Sequence, residues 1–242
     1  MILNTTYIKQ RITNDLENPV PFRYSHGATD LDMGDGLLIY SLIHFFRFKN
    51  CVCIGSGGGY IPRILTQARA DLHSIGTFSG DSDFNWGDIG STYVVDPCNG
   101  IGGQSNMCDE KGFYRQTFHP RFIKETSEKA YHDFFILQDI KIDFLFIDGD
   151  HSYEGVDRDF NLYKNILNEN GIIAIHDTDA EFCSNFIVSE DQKKDFYDFS
   201  GPSHFVKNFT DDAWEKFSFF NYGRLKEKPS SSGITLFKRK PL

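Results

Sequence analysis

The stretch "FLFIDGDHSYEGV", Phe144 to Val156, decides how the fold is read. Four apolar residues read as a buried strand and give way at once to Asp148, Asp150 and His151. Downstream, "YEGVDRDFNLYKNILNEN" places Val156, Phe160, Tyr163 and Leu167 on one helical face, with Gly171 as the expected stop. "GIIAIHDTD" then repeats the first pattern, a buried strand that ends on a carboxylate, Asp177.

Upstream, "DGLLIYSLIHFFR" at 35–47 has apolar residues at helical spacing. "NCVCIGSGGGY" is a short β-type run followed by glycines, and "IPRILTQARA" resumes a helical pattern with Pro62 in its first turn. "TYVVDP" reads as a strand ending on Asp96, "RFIKET" as a further strand, and "SEKAYHDFFILQD" as a helix with Ser127 at its N-cap. After a loop of about 178–200 come a helix in "PSHFVKNFTDDAWEK" and two β-type runs, "FSFFNYG" and "GITLFKRK", that suit an antiparallel hairpin.

Strands alternating with helices, the strands apolar nearly throughout, imply a parallel sheet covered on both faces. The expected fold class is α/β: a doubly wound, mostly parallel, Rossmann-like sheet with a C-terminal antiparallel hairpin. Ligands in such sheets sit at the carboxyl ends of the strands. Gly55 to Gly59, Asp96, Asp148 and Asp177 all lie just past strand ends, so one topology gathers them on one rim. A single domain over 1–242 is expected, with a polar N-terminal extension of about 1–33 and a Gly- and Asp-rich insertion of about 71–91. Connections of that length are usually functional lids or disordered. Phe78, Phe84 and Trp86 in the insertion either close over a ligand or tuck down an ordinary surface loop. Tyr114, Phe118 and His119 are candidates for the opposite wall.

Composition narrows the partners. Lys and Arg total 25 against 34 Asp and Glu, a net charge of −9 that repels phosphate backbones and argues against nucleic acid. No apolar run approaches the ~20 residues of a membrane helix, and "MILNTTYIKQ" does not read as a signal peptide. The five cysteines fit no metal or redox spacing; Cys51 and Cys53 point to one face of an apolar strand, as buried reduced thiols of a cytosolic protein would.

The glycine loop lets the backbone turn tightly and approach a ligand. It lacks the G-x-G-x-x-G spacing because Tyr60 holds the sixth position, and no phosphate-loop motif is present, which disfavours a nicotinamide cofactor or a nucleoside triphosphate. Asp96, at the end of the second strand, suits the two hydroxyls of a ribose. Asp148 and Asp177 would face one another if their strands are neighbours, and paired hard oxygens suit Mg2+, Mn2+ or Ca2+. His176 either completes that site or is buried by strand alternation. Asp150 binds metal or caps the helix near Tyr153, and the cap is the favoured reading. His151 is the natural general base, an imidazole titrating near neutral pH among carboxylates.

The run "IDFLFIDGDHSYEGVDRDFNLYKNILNENGIIAIHDT", with the upstream glycine loop, resembles class I S-adenosylmethionine-dependent methyltransferases. It is most similar to the branch with the macrolide-sugar O-methyltransferases and the cephalosporin-pathway protein of like fold. The resemblance spans about 34–178. It implies that Gly55, Ser56 and Gly57 carry the methionine part of the cofactor, that Asp96 holds its ribose, and that Ser127 lies near its adenine. It implies Asp148 and Asp177 as ligands of Mg2+ or Mn2+, with His151 as base. Cys53 stands where relatives often have an acid, and His176 where they commonly have a carboxylate or an alanine. The implied activity is methyl transfer to a hydroxyl of a small polar acceptor such as a sugar or sugar nucleotide. Alternatives are metal-independent transfer to an amine or phosphate-linked oxygen, and a non-catalytic cofactor-binding protein. Self-association is a family-level expectation.

Overall fold

The computed structural model describes residues 25–28, 33–57, 59–79 (74–79 by backbone alone), 90–98, 120–180, 200–220 and 232–241. A short 3-10 turn, Ser25–Gly27, precedes helix α1, Asp35–Phe46. Ile39 and Ile43 bury its inner face, and it stops at Arg47, whose left-handed backbone returns its N–H to the carbonyl of Ile43. Then follow β1 (Cys51–Ile54), α2 (Tyr60–Ser79), β2 (Thr92–Val95) and β3 (Arg121–Ile123). Helix α3, Ser127–Ala130, runs directly into a π-helical stretch, Tyr131–Ile136. Next are β4 (Ile142–Ile147), α4 (Tyr153–Tyr163), β5 (Leu167–His176), α5 (Gly201–Asn208), β6 (Trp214–Phe219) and β7 (Ile234–Arg239).

The strands form one sheet in the order β3-β2-β1-β4-β5-β7-β6. All pairings are parallel up to β5, and β7 runs antiparallel to both β5 and β6. The expected sheet and terminal hairpin are therefore present. Strand β1 pairs with β2 on one side and β4 on the other, so the strand order reverses there, where open α/β sheets place their ligands. Ile54 is level with Val95 and Ile147, and Ile147 with Ile175. That register brings the residues after each strand to a common rim.

Strand alternation sorts the core into two layers. Val52, Ile54, Leu145, Ile147, Ile173 and Ile175 pack against α3, α4 and α5. Cys51, Cys53, Phe144, Phe146, Ile172 and Ala174 pack against α1 and α2. Each fully buried Ile or Phe contributes about 1.5–3 kcal/mol, so the rim stands on a rigid base.

Local boundaries differ from the sequence reading at four places. Helix α5 ends at Asn208, and Trp214, Glu215 and Lys216, read as its last turn, instead open β6. The cap of α3 is Thr126, whose side chain accepts from the N–H of Lys129; Ser127 is the first helical residue. Helix α4 ends at Tyr163, and Leu167 opens β5 with Gly171 inside that strand. The carbonyl of Ile166 accepts from the N–H of Ile142, which draws the chain into the sheet, and the exposed residues 168–170 bulge out before Ile172 joins Phe144. A β-carbon at Gly171 would lie 2.6 Å from Leu167 Cγ, so the bulge itself selects glycine. Helix α2 continues to Ser79, into the segment read as an insertion. Residues 80–89, with Phe84 and Trp86, lie outside the described residues, as do the side chain of Phe78 and all of Tyr114, Phe118 and His119.

Candidate active site

A cavity of about 780 Å3 opens on the carboxyl rim at the β1–β4 switch point, lined among others by Gly55, Gly57, Asp96, Ser127, Asp148 and His151. Gly55 has a φ of 81°, and a β-carbon there would lie 2.0 Å from the carbonyl oxygen of Asp148. Only glycine lets the first loop cross so close to the end of β4. A β-carbon at Gly57, φ 49°, would meet nothing within 4 Å, so its glycine answers to backbone conformation and leaves the cavity open.

Asp96 braces the loops on either side of it. Its Oδ2 accepts from Ser56 N at 2.8 Å and Ser56 Oγ at 2.6 Å, and its Oδ1 from Cys98 N at 2.8 Å. Cys53 is fully buried, and its thiol donates to the carbonyl of Gly55 at 3.1 Å. Burial pushes that thiol well above its ordinary range, so it supports the glycine loop without charge.

At the α3 side, Ser127 Oγ donates to Asp159 Oδ1, and Tyr163 donates to the carbonyl of Ser127 at 2.9 Å. Asp159 is 1% exposed and lines the cavity, and its Oδ2 has no hydrogen-bond partner. Burial raises its carboxyl to about 6, against the pull of Ser127 and Arg158.

The acids after β4 and β5 converge through imidazoles. His151 Nε2 lies 3.1 Å from Asp148 Oδ1 and 2.9 Å from Asp177 Oδ2. His176 Nδ1 lies 3.5 Å from Asp148 Oδ1 and 3.2 Å from Asp177 Oδ1. Asp177 adopts a left-handed φ of 56°, and Ser232 Oγ, from the loop before β7, donates to its Oδ1. The cap of α4 is Ser152, whose Oγ accepts from the N–H of Gly155, and not Asp150 as the sequence suggested; Asp150 Oδ1 accepts from Ser152 N and Oγ and so braces the cap.

Burial alone would raise both Asp148 and Asp177, yet the surrounding histidines hold both carboxyls well below their ordinary value. Burial would depress His151, but its bonds to Asp148 and Asp177 push it up to about 10. His176 is raised against its burial by the same two carboxylates.

Two residues that the sequence pattern did not mark complete this group. His26, from the 3-10 turn, lies with Nδ1 3.2 Å from His176 Nε2 and Nε2 3.7 Å from Asp148 Oδ2. Asp35, in the first turn of α1, has Oδ2 3.1 Å from His176 Nε2. Of the two readings of His176 both hold in part: it is buried, and it still reaches the carboxylates of the site.

An open sheet with this strand order, a glycine loop at its switch point and an acid after β2 has the layout in which α/β folds hold a nucleoside cofactor. Comparison with known proteins makes that specific: residues 52–178, just over half of the chain, match the methyltransferase-domain family, and the chain belongs to it. Over 110 residues it is 34% identical to the uncharacterized protein R132 of Acanthamoeba polyphaga mimivirus. That match covers 43% of this chain and 49% of the viral protein, so the chain spans about half the length of the curated relative it matches. Among solved structures, the O-methyltransferase TomG of Streptomyces achromogenes, in complex with S-adenosylmethionine, superposes with a TM-score of 0.59 at 11% identity over 100% of both chains. The S-adenosylhomocysteine-bound methyltransferase PaMTH1 of Podospora anserina gives 0.58 at 12% identity, covering 100% of this chain and 89% of that one. An O-methyltransferase of Bacillus cereus in complex with S-adenosylhomocysteine gives 0.56 at 14% identity, covering 99% and 100%. At such identities the likeness is one of fold. Among the described residues no helix is long and apolar enough to cross a membrane.

Proposed function

We propose that this methyltransferase transfers the methyl group of S-adenosylmethionine to a hydroxyl of a small polar acceptor, a sugar, sugar nucleotide or related metabolite. The observation that carries the reading is His151 Nε2 set between Asp148 and Asp177 on the wall of the switch-point cavity. The cavity fits the cofactor in size, being of the order of the ~300–1,000 Å3 typical of small-molecule sites. Gly55 and Gly57 admit the methionine end, Asp96 faces the ribose, and the unpartnered Oδ2 of Asp159 beside Ser127 offers an acceptor to the amino group of an adenine. The sugar class of acceptor rests on the resemblance in the run from Ile142 to Thr178. Transfer to oxygen is supported by the O-methyltransferases that share the fold.

Methyl transfer from a sulfonium is an in-line displacement, so the protein must align donor and acceptor and make the acceptor oxygen nucleophilic. The donor set of Asp148 and Asp177 fits a divalent ion such as Mg2+ or Mn2+: two carboxylates from adjacent strands converge on one imidazole nitrogen. When bound, the ion supplies Lewis-acid polarisation of the hydroxyl and the positive charge that these carboxylates otherwise draw from His151. With that charge supplied, His151 would be released from the pull of Asp148 and Asp177 and could accept the hydroxyl proton at Nε2. The buried strands behind the carboxylates hold them in place and keep water from that side.

A second reading is metal-independent transfer to an amine or a phosphate-linked oxygen. It is favoured by the charge balance already present, since His151 and His176 lie within 3.5 Å of the two carboxylates. The deciding experiment combines calorimetry with S-adenosylmethionine and an assay for release of S-adenosylhomocysteine over a panel of sugars and sugar nucleotides, with and without chelator. Binding, release, and loss of release after metal removal are expected. Release that survives thorough chelation selects the second reading, and cofactor binding without release under any condition selects a non-catalytic protein.

A further inference from the structure

At the end of the sheet opposite the glycine loop lies a second cavity, of about 590 Å3, where the chain enters β1 and β4 and where β5 bulges. Arg47, Asp139, Lys141, Asn168 and Asn170 are among its lining. The six residues of β4, at about 3.3 Å each, put it roughly 20 Å from Asp148. We propose that this cavity binds a phosphorylated sugar, with Arg47 and Lys141 on the phosphate and Asp139 and Asn170 on the hydroxyls.

Three irregularities of the backbone converge there. Arg47 closes α1 in the left-handed region with a φ of 56°, and Asp139, with a φ of 50°, closes the turn after the π-helical stretch. The N–H groups that follow return to helix carbonyls, Phe48 to Ile43 at 3.1 Å and Ile140 to Phe135 at 3.0 Å. Glycine adopts such a cap without strain, so an arginine and an aspartate in these places point to a use for their side chains. The other described non-glycine residues with positive φ, His26 and Asp177, line the cavity proposed for catalysis. The third irregularity is the bulge of β5, which brings Asn168 and Asn170 to the cavity.

The bonding capacity left over matches the ligand. Asp143 belongs to the frame: its oxygens accept from Lys49 N, Asn50 N and Asn168 Nδ2. Asn50 Nδ2 donates to the carbonyl of Lys141 at 2.9 Å, which ties the links carrying Arg47 and Lys141 side by side. Among the described residues no carboxylate is ion-paired with Arg47 or Lys141, and no donor bonds the carboxylate of Asp139. A guanidinium and an ammonium together suit the oxygens of a phosphate. A carboxylate and a primary amide suit hydroxyls, which both donate and accept. Phe46 and Phe48, which also line the cavity, stack with centroids 5.2 Å apart and offer an apolar bed to the C–H face of a sugar ring. The volume lies within the ~300–1,000 Å3 of small-molecule sites.

The test is calorimetry of the full chain with glucose 1-phosphate, glucose 6-phosphate and ribose 5-phosphate, and with glucose and inorganic phosphate by themselves. At least one of the three sugar phosphates should bind saturably, about tenfold or more tighter than glucose or inorganic phosphate. Arg47→Gly and Lys141→Ala should each weaken that binding by at least about tenfold, and Asp139→Gly by at least about threefold. A thermal melt separates this from a structural role. Glycine relieves the left-handed backbone at 47 and 139, so the midpoints of Arg47→Gly and Asp139→Gly should hold or rise. Binding of none of the three sugar phosphates overturns the proposal. So does native affinity in a chain carrying both Arg47→Gly and Lys141→Ala, which places the ligand elsewhere, and so do lowered midpoints in both glycine variants, which assign the side chains to the fold. Inorganic phosphate that binds as tightly as the best sugar phosphate overturns the sugar assignment. The site is read by binding alone and stands apart from methyl transfer.

Discussion

Strand β4 has an aspartate at its start and another just past its end, and the two differ in every partner. Asp143 Oδ2 accepts from the backbone N–H groups of Lys49 and Asn50 at 2.9 and 2.8 Å, and its Oδ1 from Asn168 Nδ2 at 2.6 Å. Asp148 faces His26, His151 and His176. The partners of Asp143 are fixed donors that cannot change charge, so it works as a bracket between loops. Those of Asp148 are titratable rings whose protons a metal ion can replace. The partners of a partly buried acid, more than its burial, separate a structural acid from a chemical one.

Substitutions can break that contrast. The largest effect is expected from His151→Ala, which should lower turnover by about 10²- to 10⁴-fold while S-adenosylmethionine still binds. Steady-state kinetics with cofactor calorimetry checks this, and unchanged turnover removes His151 as the base. Asp96→Ala should weaken cofactor binding by about tenfold to a hundredfold, the worth of charge-assisted hydrogen bonds. Because Asp96 also braces Ser56, that titration is read beside a thermal melt; equal affinity discards the ribose assignment. Asp148→Asn and Asp143→Asn test the comparison itself. The first should abolish the response of turnover to added Mg2+ or Mn2+. The second should cost about 1–3 kcal/mol in denaturant unfolding and leave that response intact. The reverse pattern would sink the distinction.

The smallest effect concerns pH. His151 titrates at about 10 when folded, against an ordinary 6.5. Between those values the folded chain holds a proton that the unfolded chain has released. The stability it contributes is whole below pH 6.5 and is lost as pH rises through 10. The depressed carboxyls of Asp148 and Asp177 act oppositely, contributing above their ordinary 3.8 and failing only in acid. Melting of chelator-treated protein should therefore fall by on the order of 5 °C from neutral to strongly alkaline pH. The fall should shrink in His151→Ala, and a flat profile in the native chain contradicts the bridging role.

The strands and the acids after them were legible because the signal is local: an apolar run buried on both faces, then a carboxylate. Asp96, Asp148, His151 and Asp177 each sit within a few residues of such a run. His26 and Asp35 were not legible, because they meet His176 across 150 and 141 residues and the first lies in a polar segment without a period. Ser232 sits in a serine-rich loop that reads as linker until β7 carries it beside Asp177. The end of α4 was misplaced because Leu167 continues the helical face of Tyr163; only the pull of Ile142 on Ile166 breaks it. The cap at Thr126 was missed because two adjacent hydroxyl residues both suit a cap, and Ser127 is instead taken by Asp159.

The place of β7 between β5 and β6 has a consequence for synthesis. On the ribosome, β5 emerges some sixty residues before its outer neighbour, and until Ile234 appears its outer edge has no strand to close it. The nascent sheet would thus expose a bare apolar border, the kind that pairs with other chains. A ribosome-bound fragment stopping near β6 should therefore be the species that chaperones hold.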